Sequence, residues 1–188
     1  MSAKALSPLS SKPSIIAFYS GKDPDDQGRS LAELQRWPDD ALEAYHDFIQ
    51  WMFPLREPSG VNPGAPTLDD ATIAEFRARP ELQANLRVSF VRMLRFYGFE
   101  LKNDPVQVVL GADFEENSSN WLSPWNHNYL RITRILKSLG LLGLEPEAHA
   151  FLACLTDVFH AQSGHSAIST ETFRYWQASL PRTSHAGK

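Results

Sequence analysis

The stretch from Asn126 to Glu145, NHNYLRITRILKSLGLLGLE, constrains the fold most, because it combines a clear helical period with many polar side chains. At about 100° per residue, one arc is apolar, as in a helix that packs on a core. This arc holds Tyr129, Ile132, Ile135, Leu136 and Leu139, with Asn128 among them. The opposite side carries a polar stripe at spacings of four, three and four residues: His127, Arg131, Arg134 and Ser138. The segment therefore predicts a helix with one packing face and one cationic face, broken at Gly140 and Gly143.

The remaining periodicity is also helical and predicts an all-α domain, a single compact bundle of about six or seven helices. Further helices are predicted to end near Trp37, to run from Asp39 through Phe53, from Thr67 to Arg79, from Glu81 to Tyr97, from Pro146 onward and from Thr170 to Ala178. The stretch from Pro54 to Pro66 holds four prolines and two glycines, which predicts a long Pro-rich loop with Asn62 near its tip. The five tryptophans are expected to be core anchors.

Two parts of the chain give a weaker signal. The segment Val106 to Leu110 has the composition of a strand, and the one partner considered for it is an extended arm from Ile15 to Gly21. Residues 1–14 are rich in serine and proline, and we expect a flexible tail there, a helical domain over 15–180 and a second flexible tail over 181–188.

Composition narrows the functional classes. The net charge of −4 over 188 residues argues against nucleic acid as a partner, since such binders need an excess of cations. No apolar run approaches the roughly 20 residues that span a bilayer, so no membrane span is predicted. Cys154 is the only cysteine, which is typical of a reducing compartment and predicts a cytoplasmic protein.

Several blocks of the sequence resemble the conserved domain of opioid growth factor receptor proteins. The blocks are FYSG with GRSL, LEAYHDFIQWMFP, NPGAP, RMLRFYGF and WNHNYLRITRILKSLGLLGLE, which together cover most of the chain from Phe18 to Trp176. The resemblance implies an all-helical domain and, from the animal members, a receptor-like role in binding the peptide met-enkephalin. It implies no known reaction and carries over no ligand-contacting residues. It also indicates a short member without the C-terminal extension of some animal members.

The polar stripe is the strongest candidate for a ligand-binding site. Arginine forks match carboxylate or phosphate oxygens, and a helix N-terminus offers free backbone N–H groups, so the stripe suits an anionic ligand. The candidates are Arg131 and Arg134 as anion clamps, His127 and His46 as hydrogen-bonding partners, Gln50 as a partner of His46, and Asn126, Asn128 and Asn62 as orienting amides. The alternative is purely structural, with the arginines paired to Asp47, Glu43 or Asp113.

An enzyme is the competing class. His46 and His127 are candidate catalytic residues for acid/base chemistry if their helices meet, because imidazoles titrate near neutrality. His46 with Asp47 suggests a metal-dependent phosphohydrolase, but no histidine precedes residue 46, so no metal site and no cofactor are predicted. The sequence therefore favours a binding or interaction module over an enzyme, with a small anionic ligand, a peptide or another protein as partner.

Overall fold

The structure is a computed structural model that describes residues 14–162 and 167–181. This part of the chain forms ten helices and one hairpin. In chain order the elements are α1 (Ile15–Tyr19), α2 (Leu31–Leu34), α3 (Asp39–Ala44), α4 (Ile49–Met52), α5 (Asp70–Ala78), α6 (Pro80–Tyr97), β1 (Phe99–Asn103), β2 (Val106–Leu110), α7 (Phe114–Ser118), α8 (Asn128–Leu142), α9 (Glu145–Ala161) and α10 (Thr170–Ala178). The prediction of a largely helical fold is confirmed. The predicted tails lie outside the described residues except for Ser14 and Pro181.

Three long helices, α6, α8 and α9, form the centre of the fold. Helix α9 packs on α8 and on β2, while α6 supports β1 and α5. Helix α6 begins with Pro80, which is tolerated there because a backbone N–H at the first helical position would have no acceptor within the helix. The helix ends at Gly98, which has a φ of 85°. Helix α8 ends in the same way at Gly143, whereas Gly140 lies within it. No helix in residues 14–162 and 167–181 is long and apolar enough to cross a bilayer.

The hairpin corrects one expectation about the strand-like segment. Val106–Leu110 is indeed a strand, but it pairs antiparallel with the adjacent Phe99–Asn103. The expected partner, the extended arm from Ile15, is instead helix α1, whose N-terminus is capped by the side chain of Ser14. A neighbouring strand needs only a short loop to be closed, so its pairing costs less conformational entropy than pairing with a distant arm.

The predicted single helix from Asp39 through Phe53 is also wrong, because residues 45–48 separate α3 from α4. Tyr45 is extended, and the carbonyl oxygens of Leu42 and Tyr45 accept hydrogen bonds from the guanidinium of Arg131. A side chain from α8 thus takes carbonyls that a continuous helix would use itself. This break, together with the unpredicted α1 and α7, explains why there are more helices than the predicted six or seven.

Candidate functional site

Arg131 is the centre of a buried polar network between α8 and the connection from α3 to α4. Its side chain is only 5% exposed. Nη1 donates to Leu42 O at 2.9 Å and to Asn128 Oδ1 at 3.1 Å, and Nη2 donates to Tyr45 O at 2.7 Å. Nη2 also lies 2.9 Å from His46 Nδ1. Both terminal nitrogens of Arg131 are therefore used within the protein, although the helical period had placed this residue on a cationic face opposite the core.

Glu43 completes this network on the side of α3. Its Oε2 accepts a hydrogen bond from Asn128 Nδ2 at 3.2 Å and lies 3.8 Å from Arg131 Nη1. The structural alternative named Glu43 correctly for Arg131. The other two carboxylates form no ion pair with either arginine of the stripe within the described residues, since Asp47 pairs with Arg29 and Asp113 lies elsewhere.

The two candidate histidines do meet. The ring centres of His46 and His127 are 4.9 Å apart, and the rings are nearly perpendicular at 84°. A guanidinium can only donate, so His46 Nδ1 must accept, and the neutral ring carries its proton on Nε2. His127 Nε2 lies 3.4 Å from Glu43 Oε1. The network therefore makes Nε2 the donor nitrogen of His46, so this ring offers a ligand an N–H group and no free basic nitrogen.

The charge state of His127 makes the stability of the fold depend on pH. Burial and then Arg131 lower the pKa of His127 below its usual 6.5, His46 adds to this effect, and Glu43 opposes it. The folded protein then binds fewer protons than the unfolded chain, so stability is lost as the pH falls through 6.5 toward the folded pKa. We expect the urea midpoint to drop between pH 7.5 and 5.5.

The variant His127→Gln isolates this contribution, because it keeps a hydrogen-bonding side chain but cannot titrate. Its urea midpoint should fall less over the same pH interval than that of the wild type. Equal losses in the two proteins would show that protonation of His127 does not destabilise the fold.

A groove of about 540 Å³ lies beside this network, between α4, the Pro-rich loop and α8. Four of its lining residues are apolar: Ile49, Leu55, Val61 and Leu130. The others are His46, Gln50, Ser59, His127, Arg131, Thr133, Arg134 and Lys137. The groove thus joins an apolar lining to cations on one face of α8.

Arg134 differs from Arg131 in how its guanidinium is used. It makes one side-chain hydrogen bond within the described residues, from Nη1 to Phe53 O at 3.1 Å, and no ion pair there. Burial lowers the pKa of Arg134, against the opposing charge of Glu57, yet arginine stays protonated at neutral pH. Arg134 therefore keeps N–H donors for a ligand, with Lys137 one turn further along α8.

Gln50 places an incompletely bonded amide in the groove. The residue is only 4% exposed, its Nε2 lies 3.3 Å from Ser59 Oγ, and its Oε1 has no partner in the described structure. Ser59 Oγ also accepts from the backbone N–H groups of Val61 and Asn62. Either orientation of the amide leaves one polar atom of Gln50 unpaired, although the sequence had suggested a bond to His46. Buried polar atoms are normally satisfied, which makes this a place for a polar ligand group.

The candidate amides Asn62 and Asn126 are engaged in holding loops. Asn62 is buried, donates to Asp47 O at 3.0 Å and accepts from the N–H groups of Gly64 and Ala65. It does not line the groove. Asn126 donates to Asn120 O and accepts from Asn128 N at 2.9 Å, which positions the start of α8. Both residues shape the walls around the groove.

Trp125 is a feature that the sequence reasoning missed. Trp51, Trp121 and Trp176 are buried as expected, but Trp125 is 96% exposed. Its φ of 63° is left-handed, a conformation that costs a residue with a Cβ about 1 to 2 kcal/mol. The neighbouring Asn126 side chain holds this backbone in place. The signal available in the sequence was the position of Trp125 between a proline and a capping asparagine.

A second cavity, of about 640 Å³, lies between α6, the hairpin and α7. It mixes charges of both signs, and its Arg92 is already bonded to Trp37 O and to Asp39. No group of three or more metal-ligating side chains occurs within the described ranges. These observations leave the groove on α8 as the better candidate site.

Comparison with known proteins adds an independent line of evidence. A family model described as the opioid growth factor receptor (OGFr) conserved region matches residues 14–185. The chain is 42% identical over 134 residues to the opioid growth factor receptor of Rattus norvegicus, a match that covers 69% of this chain and 23% of that protein. The human receptor is 46% identical over 114 residues, which cover 60% of this chain and 17% of that protein.

A differently named relative gives a similar match. The opioid growth factor receptor-like protein 1 of Xenopus tropicalis is 41% identical over 134 residues, which cover 69% of this chain and 26% of that protein. The chain thus spans about a quarter or less of the length of these three relatives. No solved structure matches.

Proposed function

The chain belongs to the family defined by the opioid growth factor receptor conserved region, and from that premise we propose that it binds an anion-bearing ligand in the groove on α8. The family similarity supports a receptor-like or interaction domain. The relatives carry the word receptor in their names, and the residues that the family model matches, 14–185, include the groove-lining helix α8. A small anionic molecule or a peptide with a carboxylate both have the chemistry that this site requires.

The observation that carries the proposal is the contrast between two arginines one turn apart. Arg131 spends both terminal nitrogens on the protein, whereas Arg134 has one side-chain hydrogen bond within the described residues and lines a groove with an apolar lining. An unpaired cation that is partly shielded from water attracts an incoming anion more strongly, because less water screens the two charges. Arg134 and Lys137 are therefore the proposed anion ligands.

The neighbouring groups have supporting roles in this proposal. The Nε2–H group of His46 and the unpaired amide atom of Gln50 provide further polar contacts at the groove. Arg131, Asn128 and Glu43 hold the wall that carries His46, and Asn62 holds the Pro-rich loop. The first pair recognises the ligand, and the second group keeps the groove in shape.

The variant Arg134→Gln tests the proposal. Inorganic phosphate, citrate and an acidic peptide are titrated into the wild type and the variant, with binding measured by calorimetry and by the rise in melting temperature. Loss of a charged hydrogen bond, about 1.5 to 3 kcal/mol, should weaken the effective probe at least about tenfold.

Arg95→Gln is the matched control, since Arg95 is an exposed arginine that lines the other cavity. It should bind the probe as the wild type does. Equal affinity of Arg134→Gln and the wild type for every probe would contradict the proposal, and a loss confined to Arg95→Gln would move the anion site to the other cavity.

Acid/base catalysis by His46 and His127 is the second candidate, favoured by the contact between their rings. The bond from Arg131 occupies Nδ1 of His46 and leaves that neutral ring no free basic nitrogen, so His127 is the better candidate for the base. Hydrolysis of nitrophenyl esters and phosphates that is lost in both His→Ala variants would support an enzyme. Turnover that survives both substitutions would remove this candidate.

A further inference from the structure

The rim of the groove is unusually apolar. Seven large hydrophobic residues are exposed in the described structure, and four of them either line the groove or lie within two positions of a lining residue in the sequence. Val61 and Leu130 line it, with Leu130 77% exposed. Tyr45 directly precedes the lining residue His46. Large apolar side chains that are exposed around a groove mark sites of interaction with other proteins.

Trp125 is the fourth of these residues. It precedes the lining residue His127 by two positions, so the two Cα atoms are at most about 7.6 Å apart. Its left-handed backbone persists because Asn126 bonds to Asn120 O and Ser123 Oγ. A strained residue that is 96% exposed in the described structure points to a function outside the fold, and tryptophan is enriched among the residues that dominate protein interfaces.

A small anion would leave this rim in contact with water. Phosphate or a carboxylate bound between Arg134 and Lys137 covers neither Trp125 nor Val61. The occupant that uses both features must carry negative charge and large apolar side chains together. Charge complementarity with the two cations of α8 then requires carboxylates beside the apolar side chains of the partner.

The backbone around the groove indicates the conformation of the partner. The lining residues come from α4, α8 and irregular segments, and the hairpin contributes none of them, so no strand edge is available for strand addition. Recognition of an acidic motif by the cations alone would leave the exposed apolar side chains unused, whereas an amphipathic helix laid into an apolar groove carries apolar and charged side chains together.

We infer that the groove on α8 docks an acidic amphipathic helix of a protein partner, with its apolar side chains against Trp125, Leu130 and Val61 and its carboxylates on Arg134 and Lys137. The inference rests on the proposed function and deepens it, because it names the carrier of the anion. It also assigns Trp125 a binding role.

The test uses a designed helical peptide with leucine at positions i, i+3, i+4 and i+7 and glutamate on one flank. Two control peptides are a scrambled sequence of the same composition and a version with every glutamate changed to glutamine. Binding is followed by fluorescence anisotropy. The wild-type protein should bind the designed helix at least about tenfold more tightly than either control peptide.

The protein variants are Trp125→Ser and, as control, Tyr175→Ser, an exposed aromatic residue on α10. Trp125→Ser should weaken the designed helix at least about tenfold, and Tyr175→Ser should leave its affinity unchanged. Both substitutions are at exposed positions, and unchanged melting temperatures by circular dichroism verify that the variants fold.

Failure of this inference and failure of the proposed function give different results. Equal binding of the designed and scrambled peptides, or full affinity in Trp125→Ser, would contradict the docking of an acidic helix. The proposed anion site would still stand in that case if phosphate or citrate binds and the binding requires Arg134. If Arg134→Gln changes the affinity for no probe, the proposed anion site is wrong, and the inference of a docked acidic helix is then wrong as well.

Discussion

Replacing Arg131 with alanine should lower the free energy of unfolding by about 3 to 5 kcal/mol, the sum of several lost charge-assisted hydrogen bonds. The substitution leaves Leu42 O and Tyr45 O without their donor and releases the connection between α3 and α4. It also removes the cation beside the half-exposed Glu43. Urea unfolding followed by tryptophan fluorescence measures the loss.

Two further variants show whether the loss comes from the guanidinium geometry. Arg131→Lys should recover little of the stability, since an ammonium group does not reproduce the planar fork that reaches both carbonyls. Arg77→Ala removes an exposed ion pair with Glu145 and exposed hydrogen bonds to Gly140 O and Leu141 O, and should cost about 1 kcal/mol. A loss in Arg131→Ala no larger than that in Arg77→Ala would contradict the structural role.

Trp51→Ala should produce a loss of similar size, about 3 to 5 kcal/mol, because it empties a fully buried aromatic site. The indole packs against Phe18 at a ring distance of 5.1 Å, and its Nε1 donates to Asp26 Oδ1 at 2.9 Å. Asp26 also contacts the Asn62 amide, so the substitution loosens the Pro-rich loop as well. Urea unfolding again provides the measurement.

Trp125→Ala is the matched control, the same change at a tryptophan that is 96% exposed. It should alter the free energy of unfolding by no more than about 0.5 kcal/mol, the usual range for surface substitutions. Equal losses at the two positions would mean that Trp125 is packed against the protein, and would remove it from the proposed interface.

The helices that depend on local pattern were predictable. The apolar spacing of four, four, three and four from Leu82 to Tyr97 requires only the 3.6-residue period, and α6 lies there. The ends at Gly98 and Gly143 follow from the freedom of glycine at positive φ. Long, strongly periodic segments were therefore sufficient to predict the fold class.

The break between α3 and α4 was not predictable in this way. It depends on Arg131, 86 residues beyond Tyr45, whose guanidinium competes with the helix for backbone carbonyls. No window around Asp39 to Phe53 contains that residue. The same long-range bonds explain why the period assigned Arg131 to a cationic face: the helical pattern gives the angle of a side chain, but not what packs over it.

The candidate site divides along the same line. The sequence brought forward His46, His127 and Arg134 as polar residues, and the structure places all three along one groove. The sequence alone could not distinguish the role of Arg134 from that of Arg131, because both have the same chemistry and lie one turn apart. Their difference is the number of protein acceptors within reach, which only the tertiary arrangement determines.

The side-chain Nε–H signals of the arginines provide the most direct test of the account. The protein is labelled with ¹⁵N, titrated with the acidic peptide, and the signals are assigned with Arg131→Lys and Arg134→Gln. We expect the Arg134 signal to shift in a saturable way and the Arg131 signal to stay in place, because the guanidinium of Arg131 is already bonded within the protein. A saturable shift of Arg131 with an unmoved Arg134 signal would contradict the account.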